Sequence, residues 1–89
     1  MYWAYVLWSD KLGKRYIGSA EDVHKRLKRH NAGRTRFTSR GVPWVLIHSE
    51  TFDTLGEARA RERFLKGGVG RKWLDEKYPK FRKGARAVE

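Results

Sequence analysis

Cysteine is absent from the sequence. Disulfides, thiolate catalysis and cysteine-bound zinc are excluded together, and a reducing cytosol fits. No run of roughly 18 apolar residues occurs, so no membrane-spanning helix is expected. The start, Met1-Tyr2-Trp3-Ala4-Tyr5, has neither the basic head nor the apolar stretch of a signal peptide. The chain therefore reads as soluble and cytoplasmic. Several chemical signatures are missing too. No carboxylates pair at catalytic spacing, no Ser-His-Asp order is evident, and no glycine loop opens a helix to cradle phosphate.

What remains is short, aromatic and basic. The 89 residues suffice for one domain. Trp, Tyr and Phe make up 13% of them, which helps a lean core bury area. Lys and Arg number 21 against 10 acids, a formal charge of +11. Such a field draws polyanions. Nucleic acid is the usual partner and a membrane surface the main rival. Nucleic acid, DNA or RNA, is therefore the expected partner, and not a membrane.

Along the chain, residues 3–8 are aromatic and aliphatic throughout, as in a buried strand. Residues 9–14 are a polar turn, and residues 15–18 a short second strand. So short a link requires antiparallel pairing. Ser19 followed by Asp22 looks like a helix start with Ser19 as the cap. That helix should end near Asn31-Ala32-Gly33. Residues 34–42 read as an exposed, mobile loop. Residues 44–48 read as a third strand that can extend to Phe52. Thr54 and Glu57 form a second capping-box pattern, and their helix should run to Lys66. Gly67-Gly68-Val69-Gly70 reads as a linker before a short third helix over residues 71–78. Residues 1–78 then form one domain, and residues 79–89 a basic tail expected to be frayed. The fold class is α+β, a three-stranded antiparallel sheet flanked by helices in the order β-β-α-β-α-α, with the sheet on one side and the helices packed against it.

Glu62 is the most informative residue. At 100° per residue, Leu55, Ala58, Glu62 and Leu65 share one helical face, so an acid interrupts an apolar stripe. A carboxylate there is costly unless something positive meets it. A salt bridge with Arg59, Arg61 or Arg63 is one reading. A metal ligand is the other, because one carboxylate with waters and a substrate phosphate commonly holds Mg²⁺. Arg26 and His30 are four apart and share a face of the first helix. An Arg held there can grip a phosphate, though Lys25, Lys28 and Arg29 also make that helix a solvated basic face. Tyr5 and Tyr16 lie on the two strands of the hairpin and can reach one face, as ordinary core tyrosines also do.

Taken in order, these residues resemble the GIY-YIG nuclease superfamily, and its small stand-alone bacterial branch in particular. Tyr16-Ile17-Gly18 matches the second half-motif as written. Trp3-Ala4-Tyr5 falls where the first belongs and keeps only its Tyr. Arg26 lies ten residues after Tyr16, at the spacing of the family's arginine. His30 follows one turn later. His30-Asn31-Ala32-Gly33, Pro43-Trp44 and the stretch from Glu57 through Glu62 to Gly67 also look like that branch. The resemblance covers residues 3–75. It departs from the UvrC-type repair enzymes, which carry a Lys just after their glycine, where Ser19 stands here.

The resemblance implies a DNA endonuclease dependent on one Mg²⁺ or Mn²⁺ bound by Glu62, suited to repair or recombination. Arg26 would hold the scissile phosphate, Tyr16 or Tyr5 would orient or deprotonate the attacking water, and His30 would assist the proton transfer. Lys25, Lys28, Arg29, Arg34, Arg36, Arg40, Arg71 and Lys72 are the expected backbone contacts. Because no element looks built to read base edges, weak sequence specificity is expected. The alternative is a non-catalytic nucleic-acid-binding module. It explains the charge equally well and leaves Glu62 unexplained.

Overall fold

The computed structural model describes residues 1–82. The chain runs β1 (Tyr2–Ser9), β2 (Lys14–Ala20), α1 (Val23–Asn31), a single 3₁₀ turn at Ser39–Gly41, β3 (Trp44–Phe52), α2 (Leu55–Lys66) and α3 (Gly68–Lys77). The element order and the α+β class are those the sequence implies.

The strands form one antiparallel sheet in the order β2-β1-β3, which leaves β2 with a free edge. The central strand β1 is buried from Ala4 to Ser9, which explains its unbroken apolar run. Its pairing with β3 skips from Val6–His48 to Leu7–Leu46, so Ile47 is the extra residue of a β-bulge. The hairpin joining β1 to β2 closes with Gly13 at φ 61°, a left-handed conformation that glycine adopts without strain.

Strand alternation splits the core in two. Tyr5, Leu7 and Ala20 pack with Val23 of α1 and with Trp44. Val6 and Ile17, on the opposite face, pack with Leu65 of α2 and Leu74 of α3. The sheet is therefore a middle layer. The expectation of helices all on one side is corrected, because β1 is apolar at successive positions and both its faces need covering.

Three local expectations also change. First, the cap of α1 is Asp22, whose side chain accepts from Lys25 N at 3.0 Å. Ser19 lies inside β2, opposite Ala4. Second, residues 34–42 are anchored to the core. Thr38 and Gly41 are buried, Ser9 Oγ donates to Gly41 O at 2.7 Å, and Trp44 Nε1 donates to Thr38 O at 2.7 Å. Buried polar groups demand such partners, and here they fix a segment that has no apolar period. Third, α3 begins at Gly68, so Gly68 and Gly70 belong to the helix and Gly67 is the extended residue between α2 and α3. A Cβ on Gly70 would fall 2.0 Å from Phe64 O and 2.6 Å from Leu65 Cα, so Gly70 lets α3 pack directly on α2.

The second capping box stands as expected. Thr54 Oγ1 accepts from Glu57 N, and Glu57 Oε1 accepts from Thr54 N, both at 3.2 Å. At the end of the described chain, Phe81 packs on Trp8 with ring centroids 5.8 Å apart, and Phe81 O accepts from Arg15 Nε. The rest of the basic tail, residues 83–89, lies outside the described residues.

Candidate active site

Tyr5 and Gly18 are partners across the β1–β2 ladder. The tyrosine ring lies over the glycine so closely that a Cβ there would sit 2.6 Å from the phenolic oxygen and 2.8 Å from Cζ. Gly18 therefore makes the space in which Tyr5 is fully buried. Tyr16, two residues earlier on the same face of β2, stands 6.3 Å from the Tyr5 ring and 4.7 Å from the His30 ring. It remains half-buried and open to solvent.

His30 closes the cluster from the last turn of α1 and is itself buried. Its Nε2 lies 3.2 Å from the Tyr5 hydroxyl and its Nδ1 2.8 Å from Thr38 Oγ1. Thr38 Oγ1 donates to Thr35 O at 3.3 Å, which leaves it to accept from His30 Nδ1–H. That assigns the tautomer: Nε2 is the acceptor and Tyr5 O–H the donor. Burial lowers the His30 pKa from its ordinary value, and the positive charges of Arg26 and Arg29 lower it further. The imidazole is thus held neutral.

Burial pushes the Tyr5 phenol well above its ordinary value, with Tyr16 and Glu62 adding to the rise and Arg26 opposing it. The Arg26 guanidinium faces the Tyr5 oxygen and is half-buried on α1. Lys25, Arg26, Lys28, Arg29 and Arg34 line one open groove of about 1170 Å³ along α1. A smaller groove of about 390 Å³ is lined by Lys14, Arg15, Tyr16, Lys66 and Arg71. Arg36, Arg40 and Lys72 are exposed but lie outside both linings.

Glu62 belongs to the opposite layer, yet it reaches the same edge of the sheet. Ala58 and Leu65 on its helical face are fully buried, while its own side chain keeps 20% exposure. Ser19 Oγ donates to Glu62 Oε1 at 2.7 Å, and Lys66 Nζ donates to Oε2 at 2.5 Å. Burial raises the Glu62 pKa, but these two hydrogen bonds and the charges of Lys66 and Arg59 outweigh it, holding the carboxyl below its usual range. The cation that meets Glu62 is therefore Lys66, one turn on, and none of the three arginines pairs with it directly. Among the described residues no group of three or more His, Cys, Asp and Glu could hold a metal ion.

Tyr5, Tyr16, Arg26 and His30 thus gather over one face of the sheet, and Glu62 is tied to the other face at the β2 edge. Residues 1–78 match the GIY-YIG catalytic domain. The chain belongs to the GIY-YIG family. Among its relatives are UPF0213 proteins. The one from Staphylococcus saprophyticus is 40% identical over 57 residues, covering 63% of this chain and 70% of the relative. The one from Halobacterium salinarum is 40% identical over 55 residues, covering 61% and 71%. YazA of Bacillus subtilis is 40% identical over 52 residues, covering 57% and 52%. The match to YazA thus spans about half of that protein's length. No solved structure matches the chain.

GIY-YIG membership makes this a nuclease-type catalytic domain with nucleic acid as its substrate class. No helix among the described residues is long and apolar enough to cross a membrane. Two partners in the site are not evident as such in the sequence: Ser19, which resembles a helix cap, and Thr38. Ser19 carried a usable signal: strand alternation puts it on the face of Ile17, toward α2. Thr38 carried none, because only the folded 34–42 segment brings it under His30.

Proposed function

We propose that this GIY-YIG domain is a divalent-metal-dependent endonuclease that hydrolyses DNA phosphodiester bonds with weak sequence specificity, in repair or recombination. The observation that carries the reading is the Glu62 carboxylate, fixed by Ser19 at the edge strand that also bears Tyr16.

The donor set suits one hard cation. Glu62 offers two oxygens beside a serine hydroxyl at a solvent-reached edge, and one carboxylate completed by waters and phosphate is a common Mg²⁺ arrangement. Mn²⁺ accepts the same ligands. A cation bound there would neutralise phosphate charge and depress the pKa of groups beside it.

The chain's own residues divide the remaining work. Arg26 would hold the scissile phosphate through its planar fork and stabilise the charge that grows on the non-bridging oxygens. Tyr16 is the one of the two that reaches solvent, so it would orient the attacking water and, as phenolate, take up its proton to become the neutral phenol. A phenol with a reference pKa of about 10 ionises near neutral pH only when positive charge lies close. Tyr5 is too deeply buried to meet the water. Its hydroxyl proton goes to His30, and its oxygen faces Arg26. Tyr5 and His30 would therefore position Arg26 and Tyr16. The basic residues along α1 would contact phosphates, which sets register without reading sequence.

Plasmid cleavage with Mg²⁺ tests the proposal. Wild type is expected to nick or linearise DNA, EDTA to stop it, and Glu62→Gln to lose cleavage while still binding DNA. Full cleavage by Glu62→Gln would sink the reading. Binding by wild type with no cleavage under any divalent metal would favour the non-catalytic module.

A further inference from the structure

Phe37 is 88% exposed in a segment that is otherwise tied down. Thr38 N and Ser39 N both donate to Thr35 O, at 3.1 and 2.9 Å. Ser39 Oγ donates to Arg36 O at 3.1 Å, and Thr38 is fully buried between His30 and Trp44. The backbone on both sides of Phe37 is thus hydrogen-bonded, and the ring is held out into water. A ring presented this way has little backbone freedom left to lose on binding.

Its setting differs from that of the exposed Phe64 and the half-buried Trp73. Arg61 already lies over the Phe64 and Trp73 rings, at 4.7 and 5.1 Å, and Lys77 lies over Trp73 at 5.0 Å. Among the described residues no ring or cation packs on Phe37 in that way. Arg34, Arg36 and Arg40 surround it in sequence, and all three are exposed. Among the described residues none of the three forms an ion pair. Arg34 also lines the groove that holds Arg26, so the segment borders the candidate active site.

The fitting partner has closely spaced negative charges and a free flat apolar face. Duplex DNA has the charges, but its bases are covered by their neighbours. An unpaired base offers both. We propose that Phe37 stacks on an unpaired base while Arg34, Arg36 and Arg40 hold the adjoining phosphates, so that the domain prefers single-stranded or junction DNA to blunt duplex. The inference rests on the nucleic-acid reading of the site, and it is independent of whether the site cleaves.

The test is binding in EDTA, where no cleavage intervenes. Fluorescence anisotropy would follow a short single strand and the same sequence as blunt duplex. Phe37→Ala is expected to weaken single-strand binding about tenfold and duplex binding by less than about twofold. Phe37→Trp is expected to keep the wild-type preference. The salt dependence should be the same in all three proteins, because the phosphate contacts stay. A 2-aminopurine in the single strand should be quenched by wild type and by Phe37→Trp, but not by Phe37→Ala. Equal single-strand affinity in wild type and Phe37→Ala overturns the proposal, and so does an equal loss on both DNA forms. DNA binding that fails altogether in wild type would overturn the nucleic-acid reading beneath it. Intact stacking without cleavage in Mg²⁺ would overturn only the nuclease mechanism.

Discussion

Ser19 donates to Glu62 Oε1 at 2.7 Å, linking strand β2 to helix α2 across the free edge of the sheet. The carboxylate's two oxygens are held differently. Ser19 sits on a paired strand with a short side chain, so its bond aims the carboxylate. Lys66 reaches Oε2 from the end of a flexible chain that is 53% exposed. An exposed i,i+4 pair of this kind is worth only about 0.3–0.5 kcal/mol, so Lys66 can leave at little cost. Glu62 therefore combines a fixed direction with one oxygen that is easily freed.

Ser19→Ala removes the fixed donor and leaves Lys66 in place. The Mg²⁺ concentration for half-maximal cleavage is expected to rise about tenfold, the size typical of losing a partner that orients a metal ligand. DNA affinity in EDTA should not change. A Mg²⁺ titration that overlays the wild-type curve would remove Ser19 from the site.

Gly18→Ala should unsettle the fold through Tyr5. The added Cβ would lie 2.6 Å from the phenolic oxygen of a buried side chain. Overpacking of this kind costs about 1–3 kcal/mol, read as a lower thermal midpoint. Adding Tyr5→Phe should not restore the midpoint, because Cζ would still lie 2.8 Å away and His30 Nε2 would lose its donor. An unchanged midpoint in Gly18→Ala would contradict the packing described.

The two tyrosines should separate by phenotype. Tyr16→Phe is expected to lower kcat by about 10²–10⁴ with little change in melting, because the side chain is half-exposed and its hydroxyl would act on the water. Tyr5→Phe is expected to cost about 1–3 kcal/mol of stability, because His30 Nε2 is left buried without its donor. Its effect on kcat should be the smaller. The reverse ranking in kcat would make Tyr5 the residue that meets the water.

His30 makes stability depend on pH. Its pKa is lowered in the folded protein from 6.5, so the unfolded chain takes up the proton first as pH falls. The contribution of neutral, buried His30 is complete above pH 6.5 and is lost as pH falls through the lowered value. Glu62 and Glu50, with carboxyls held below 4.5, act in a more acidic window. Denaturant midpoints should fall on acidification below pH 6.5 in wild type, with a flatter slope in His30→Gln. Parallel slopes in the two proteins would mean that His30 is not the titrating group.

Much of this was legible in the sequence because the signals were local. The Thr54–Glu57 capping box depends on four successive residues and folds as written. The placement of Glu62 beside Ala58 and Leu65 follows from helix geometry alone. What was not legible depends on distant partners. Ser19 resembles a helix cap until β2 is known to continue through Ala20 and α2 to lie across it. The 34–42 segment looks free because its anchors are single polar atoms from His30, Ser9 and Trp44. Gly68 and Gly70 suggest a linker, but Gly70 is required by the closeness of a second helix, which a glycine run does not reveal.

The central claim is that Glu62 carries the metal. A crystal soaked in Mn²⁺, with anomalous data, tests it most directly. The account predicts one manganese peak at the Glu62 carboxylate, with Ser19 still bonded to Oε1 and Lys66 withdrawn from Oε2. No peak at Glu62 and an intact Lys66 pair, at a Mn²⁺ concentration that supports cleavage in solution, would contradict it.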